Sequence, residues 1–342
     1  VHTRAWADGN FRVVPIANFS NNYQGLLSFG WDMAGLLKCF RPDLIQVEQG
    51  AKSVGYAELI TLNRVLGLGA KMVFFTWWNL PYSLKPPVAW LEAYNLRHTD
   101  GLIVGNQEGA EILHEHGYTG ATVVMPQLGV NERLFQPQPQ PDLRDRLGIQ
   151  PDDFVIGFVG RFVPEKGLIT LLKALVQLKT SDRAWKCLML GRGPLKTTLM
   201  TIASENGIGD RLIWVESVPH AEVPDYINVM DTLVLPSETD LTEFKTLTSV
   251  GWKEQFGHVL IEAMACKVPV IGSDSGEIPF VIDQAGLVFP EQQPDALKDC
   301  CLKLMTHPDI AHDLGQKGYD RAMEKYTNLA LAKAQLAFYQ SL

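Results

Sequence analysis

The chain has 342 residues, 46% of them hydrophobic, and a formal net charge of −8, which is enough for two domains with separate cores. Its acidic balance, with no basic block or aromatic-basic stripe, argues against a nucleic-acid partner. No apolar run approaches the ~20 residues of a membrane-spanning helix, and the opening VHTRAWADGN lacks the apolar centre of a signal peptide.

In chain order, the apolar, β-branched stretch 11–16 predicts a strand. Helix 31–40 and buried strand 44–47 follow, then helix 57–68, strand 71–75, helix 88–98, strand 101–104, helix 107–116 and a short strand 122–125. Such alternation means a parallel sheet covered by helices on both faces. Gln136-Pro-Gln-Pro-Gln-Pro141 forbids helix and favours an extended linker, so a first domain is expected at 1–141. A second domain, 142–325, resumes the pattern. It has strand 154–159, helix 168–179, strand 186–190, helix 195–206, strand 212–215, helix 222–230 and strand 232–235. Strand 286–289 and helices 296–305 and 310–325 close it, and 326–342 is a last helical run. The fold class expected is α/β with two Rossmann-like domains. The five cysteines show no C-x-x-C spacing, and most lie in apolar patterns, as reduced, buried thiols of a cytoplasmic protein do.

The chain is organised around residues 251–276, GWKEQFGHVLIEAMACKVPVIGSDSG. Glu254 and Glu262 are separated by seven residues, with Phe256-Gly257 between them at the change from loop to apolar helix, and a β-branched strand follows. The first N–H groups of that helix, at Gly257, His258 and Val259, face the positive end of the helix dipole and suit a diphosphate. Glu262 lies four residues past His258, about 6 Å along the axis, the span from a phosphate to a ribose diol. Glu254 sits before the helix, where a sugar would be. Upstream, Gly160-Arg161 follows a strand and Lys166-Gly167 opens a helix. Two cations at such a mouth can meet a developing phosphate charge.

These residues resemble the donor signature of the retaining GT-B glycosyltransferases of family 4: Glu, seven residues, Glu, with Phe-Gly inside and Glu-Ala-Met-Ala at the end. The resemblance implies the GT-B fold, with the two parallel sheets facing across a cleft and residues 326–342 crossing back to the first domain. It implies that Arg161, Lys166 and Glu254 carry the chemistry, and that Gly129, Gly160, Phe256, Gly257, His258, Val259 and Glu262 bind the donor. Gly191-Arg-Gly-Pro194 matches the family's G-x-G-P turn, and Gly129-Val130 its loop touching the donor. The implied partners are a nucleoside-diphosphate sugar as co-substrate and a saccharide or lipid-linked acceptor, at the cytoplasmic face of a membrane.

The family often places a histidine after the strand at 71–75; here the residues are Thr76-Trp77-Trp78-Asn79. The aromatics, Trp78 among them, read either as a stacking wall for a sugar acceptor or as buried packing. Asn79 reads as a residue that hydrogen-bonds a sugar hydroxyl without moving a proton, and Glu48, at the end of strand 44–47, as a candidate acceptor contact. Residues 237–251 carry Glu238, Asp240 and Glu243 and read as an acidic surface loop or a sugar-specificity loop. No Asp-x-Asp pair or metal-ligand spacing occurs, and Asp152-Asp153 reads as solvated loop. No metal or other cofactor is expected.

The family's opening strand–glycine–helix unit has no match before 11–16. The first domain is thus expected to lack its first β–α segment, and the chain to bind donor yet transfer poorly. The rival readings are an impaired donor-binding fragment and a sugar-nucleotide epimerase of GT-B shape. A Rossmann dehydrogenase would need G-x-G-x-x-G, which is missing.

Overall fold

The computed structural model describes residues 4–20, 24–240 and 251–342. The chain divides into two compact units, Val1–Met125 with Leu336–Leu342, and Pro126–Gln335. The last helix, Asn328–Ser341, begins in the second unit and ends in the first.

In the first unit, β1 (Trp6–Asp8) and β2 (Phe11–Val13) pair antiparallel, as do β3 (Asn18–Phe19) and β4 (Ser28–Phe29). The strand expected at 11–16 therefore stops at Val13 and belongs to a hairpin. Gly9-Asn10 turns the chain there, with Asp8 paired to Phe11 and Gly9 at φ 55°, a hairpin signal that the apolar pattern obscured. The parallel sheet follows: β5 (Leu44–Val47), β6 (Lys71–Thr76), β7 (Gly101–Val104) and β8 (Ala121–Val124), adjacent in chain order. Helices Val54–Val65 and Gln107–Glu115 start where side chains satisfy free N–H groups. Ser53 Oγ accepts from Tyr56 N at 3.2 Å, and Asn106 Oδ1 from Gly109 N at 2.8 Å. Tyr56, Ile60, Phe74 and Leu102 centre the core between sheet and helices.

The second unit holds six parallel strands: β9 (Phe154–Val159), β10 (Trp185–Leu190), β11 (Leu212–Val215), β12 (Thr232–Leu235), β13 (Val270–Ser273) and β14 (Gly286–Phe289). Their spatial order is β11-β10-β9-β12-β13-β14. The chain thus builds outward from β9 in one direction, returns to β9's other side, and builds outward again. Ligands bind at such a reversal, outside the carboxyl ends of the strands. Strands β9, β10, β12 and β13 are buried almost throughout, which is why they read as apolar runs rather than alternating patterns.

The structure corrects two readings here. The proline-alternating segment is bonded inside the second unit: Gln138 N donates to Asn228 Oδ1 at 2.9 Å, and Asn228 Nδ2 to Gln136 O at 3.0 Å. A helix, Pro141–Arg146, follows at once, with proline in its first turn and Leu143 buried. The units accordingly divide after Met125 rather than at residue 141. Asp153 is also buried rather than solvated, its carboxylate accepting from Gln150 N at 2.8 Å and closing the turn before β9.

Candidate functional site

Three segments meet at the reversal between β9 and β12. After β9 come Gly160, Arg161 and a short 3₁₀ turn, Pro164–Lys166, which passes into helix Leu168–Gln177 through Gly167. Gly167 has φ 62°, and a Cβ there would lie 1.7 Å from the carbonyl oxygen of Pro236 at the end of β12. Only glycine lets the two loops touch. After β12 comes Ser237, fully buried. The third segment returns as Trp252 and Glu254 and enters helix His258–Ala265 through Gly257, at φ 83°.

Lys166 Nζ and Glu254 Oε2 are 2.5 Å apart, and Ser237 Oγ donates to the same oxygen at 2.7 Å. Both charged side chains are about nine-tenths buried, at 15% and 10% exposure. The Glu254 backbone is fixed too. Its carbonyl accepts from Glu277 N at 3.2 Å, and a Cβ on Gly276, at φ 54°, would lie 1.9 Å from that oxygen. Lys166 Nζ also lies 4.9 Å from the Trp252 ring centre. Arg161, by contrast, is largely exposed, its guanidinium 3.4 Å from Glu165.

Helix His258–Ala265 makes its first hydrogen bond from Leu260 N to Gly257 O at 2.9 Å. The N–H groups of His258 and Val259 precede that bond and mark the positive end of the helix. Glu262, one turn in, is mostly buried, with His220 Nε2 3.5 Å from its Oε1. Burial raises the Glu262 carboxyl above its ordinary value, and His220 draws it partly back. Burial lowers the His258 imidazole, against a hydrogen bond with the Leu128 backbone. His258 is therefore neutral at pH 7. Beside these residues a cleft of about 250 Å³ opens at the ends of β9 and β10, walled by Val159, Leu190, Val218 and Val223, with Arg161 and Arg192 at its lining.

Arg161, Lys166, Glu254, Gly257, His258, Val259 and Glu262 thus gather at one end of one sheet. Phe256 contributes packing: it is buried, with ring centres 5.3 Å from His258 and 5.6 Å from Tyr326. Gly129 is held at the start of the last helix. Its N–H donates to Asn328 Oδ1 at 3.0 Å, and Val130 pairs in parallel with Thr327. Sequence reasoning missed Ser237 and His220. Ser237 could have been found as the first polar residue after the β12 run, whereas His220 had no local signal. The acidic segment is only partly described: Glu243 lies outside the described residues. Its flanks are bonded rather than loose. Glu238 accepts from Thr170 Oγ1 at 2.6 Å, Thr239 Oγ1 donates to Glu291 Oε1 at 2.6 Å, and Asp240 pairs with Trp252.

In the first unit, Glu48 is exposed at the end of β5 and accepts from Gln46 Nε2. Trp78 and Asn79 follow β6. Trp78 Nε1 donates to Leu80 O at 2.5 Å, and Asn79 is 4% exposed. Among the described residues no group of three or more His, Cys, Asp or Glu could hold a metal ion, and no helix is long and apolar enough to cross a membrane. The five cysteines are free; Cys187, Cys266 and Cys301 are buried, Cys300 is half-buried and Cys39 is exposed.

Residues 139–321 match the protein family described as Glycosyl transferases group 1. The chain is 29% identical over 202 residues to a GDP-mannose-dependent alpha-(1-6)-phosphatidylinositol monomannoside mannosyltransferase of Mycolicibacterium smegmatis, covering 58% of this chain and 51% of that one. It is 26% identical over 219 residues to a D-inositol 3-phosphate glycosyltransferase of Segniliparus rotundus, covering 62% and 45%. The chain spans about half the length of these curated relatives. Among solved structures, Anabaena HepE with UDP superposes with a TM-score of 0.72 at 17% identity, over 91% of this chain and 82% of that one. Sucrose-phosphate synthase of Thermosynechococcus elongatus gives 0.64 at 24%, over 89% and 76%. These two likenesses concern the fold.

Proposed function

Since the chain belongs to the glycosyl transferases group 1 family and has the GT-B type of fold, we propose that it moves a hexose from a nucleoside-diphosphate sugar to an acceptor hydroxyl. It does so with retention, as an enzyme of the family 4 type. The observation that carries this reading is the buried Lys166–Glu254 pair, beside exposed Arg161 and the open start of helix His258–Ala265, at the reversal of strand order.

The diphosphate binds to Arg161, Lys166 and the N–H groups of His258 and Val259, the ribose to Glu262. The base enters the cleft walled by Val159, Leu190 and Val218. Glu254 holds the sugar hydroxyls, oriented by Lys166 and Ser237. As the bond from the anomeric carbon to the phosphate oxygen breaks, negative charge grows on the diphosphate, where fixed donors stabilise it best. The acceptor oxygen bonds to the anomeric carbon from the same face, and its proton passes to the departing phosphate oxygen. With two cations and a helix start on the diphosphate, no divalent metal is needed, so activity lost to EDTA and restored by magnesium would count against this reading. The acceptor is a saccharide or a lipid-linked glycan at the cytoplasmic face of a membrane; the mannosyltransferase relative is named for a mannosylated phosphatidylinositol, which supports the lipid-linked reading. Glu48 and Trp78 contact it; Asn79, 4% exposed, lies too deep to do so.

Calorimetry with UDP, GDP and ADP tests the donor half. Arg161→Ala should weaken the preferred nucleotide by the worth of a charge-assisted contact, roughly 1.5–3 kcal/mol. Unchanged affinity for all three nucleotides would remove Arg161 from the diphosphate site.

A further inference from the structure

Lys52 lies between β5 and helix Val54–Val65, next to the Ser53 cap. Its Nζ is buried and, among the described residues, has no hydrogen-bond partner. It sits instead 3.6 Å from the ring centre of Tyr82 and 4.2 Å from that of Trp78, and those rings meet edge to face at 5.8 Å. The nearby carboxylate, Glu92, is already engaged. Tyr82 OH donates to its Oε1 at 2.5 Å, and His116 Nδ1 lies 2.8 Å from its Oε2. Lys52 also precedes a helix start, the wrong end of the dipole for a cation. A buried ammonium without acceptors is costly, and an apolar side chain of that length would fit with no such cost. The charge therefore serves the rings it faces.

We propose that Lys52 is a positioning residue: its ammonium, seated against Tyr82 and Trp78, fixes the aromatic wall on which the acceptor is held. This rests on the acceptor-side reading of Trp78. Burial lowers the Lys52 amine to about 8, with Glu92 pulling the other way. The groups around it are Glu92, hydrogen-bonded Tyr82, whose phenol burial drives upward, and His116 beyond Glu92. Loss of the Lys52 proton in mild alkali should release the wall.

The test uses the full chain labelled with 5-fluorotryptophan, the Trp78 signal being assigned from Trp78→Phe. In the parent protein that fluorine resonance should titrate with a midpoint near pH 8. In Lys52→Met the titration should vanish, and in Lys52→Arg, which stays charged, the resonance should keep its neutral-pH position to higher pH. Transfer to octyl glycosides should show acceptor KM raised roughly tenfold in Lys52→Met and restored in Lys52→Arg, with nucleotide affinity unchanged. A Trp78 signal that does not titrate, or that titrates identically in Lys52→Met, overturns the proposal. Transfer with unchanged acceptor KM in Lys52→Met does so too. If the parent transfers to no glycoside, the functional reading fails on its own, and the fluorine titration alone decides for or against Lys52.

Discussion

Lys166 and Lys52 lie beyond the carboxyl ends of the two parallel sheets, and the surroundings of the two are opposite. Lys166 meets a carboxylate whose other neighbours, Ser237 and the Gly276 turn, are themselves fixed. Lys52 meets two aromatic faces and, among the described residues, no acceptor. In the second unit, position is enforced by backbone contacts too tight for any Cβ, which holds charged atoms to fractions of an ångström. In the first, the Trp78 backbone is packed as closely, since a Cβ on Gly109 would lie 2.4 Å from its carbonyl oxygen, but the ammonium itself meets ring faces, which are broad and tolerate sliding. The first device suits a ligand of constant shape such as a diphosphate, and the second suits a ligand that varies, such as an acceptor glycan.

The contrast can be broken most forcefully at its glycines. Gly276→Ala should cost upwards of 4 kcal/mol in thermal or denaturant unfolding and abolish donor binding, since it combines positive φ with a 1.9 Å approach to the Glu254 carbonyl. Gly50→Ala, at the aromatic end and 3.5 Å from Thr76 Oγ1, should change stability by less than about 1 kcal/mol. Equal effects would erase the distinction.

The lysines should diverge next. Lys166→Met strands the buried Glu254 carboxylate and should destabilise by about 3 kcal/mol, whereas Lys52→Met should be neutral or mildly stabilising. Denaturant midpoints at fixed slope would compare them.

A smaller effect separates the two glutamates. Glu262→Gln should weaken free nucleotide roughly tenfold by calorimetry, whereas Glu254→Gln should spare nucleotide and reduce sugar turnover. Because burial raises the Glu262 carboxyl, its contribution to folding is present in acid and lost as pH rises through that raised value. Glu262→Gln should therefore raise the neutral-pH melting temperature of the unliganded protein. In the parent, nucleotide affinity should fall as pH drops through the same range, and in Glu262→Gln this dependence should flatten. The smallest effect is chemical. Iodoacetamide should label exposed Cys39 in the native protein, while Cys187 and Cys266, whose thiols burial pushes up to about 12, wait for unfolding.

The second unit was legible because its signals are local. Apolar runs gave the strands, and Phe-Gly before an apolar helix gave the helix start. What stayed hidden depends on residues far apart in sequence. Ser237 joins Glu254 across 17 positions and His220 joins Glu262 across 42. The aromatic surroundings of Lys52 take shape only when β5, the chain after β6, and helix Val88–Arg97 assemble. The misplaced boundary has the same origin, since alternating proline says extended but cannot say that Asn228 will hold it.

The last seven residues, Leu336–Leu342, count with the first unit. A Cβ on Gly101, at the start of β7, would lie 2.7 Å from the Leu342 side chain and 3.0 Å from Phe338, and Tyr339 OH donates to Gln46 in β5. On a ribosome, the first unit must therefore wait for residues 336–342, while the second unit, continuous from Pro126 to Gln335, can close before them. Order of synthesis and order of completion are reversed. During that interval the first unit presents an unfinished sheet surface.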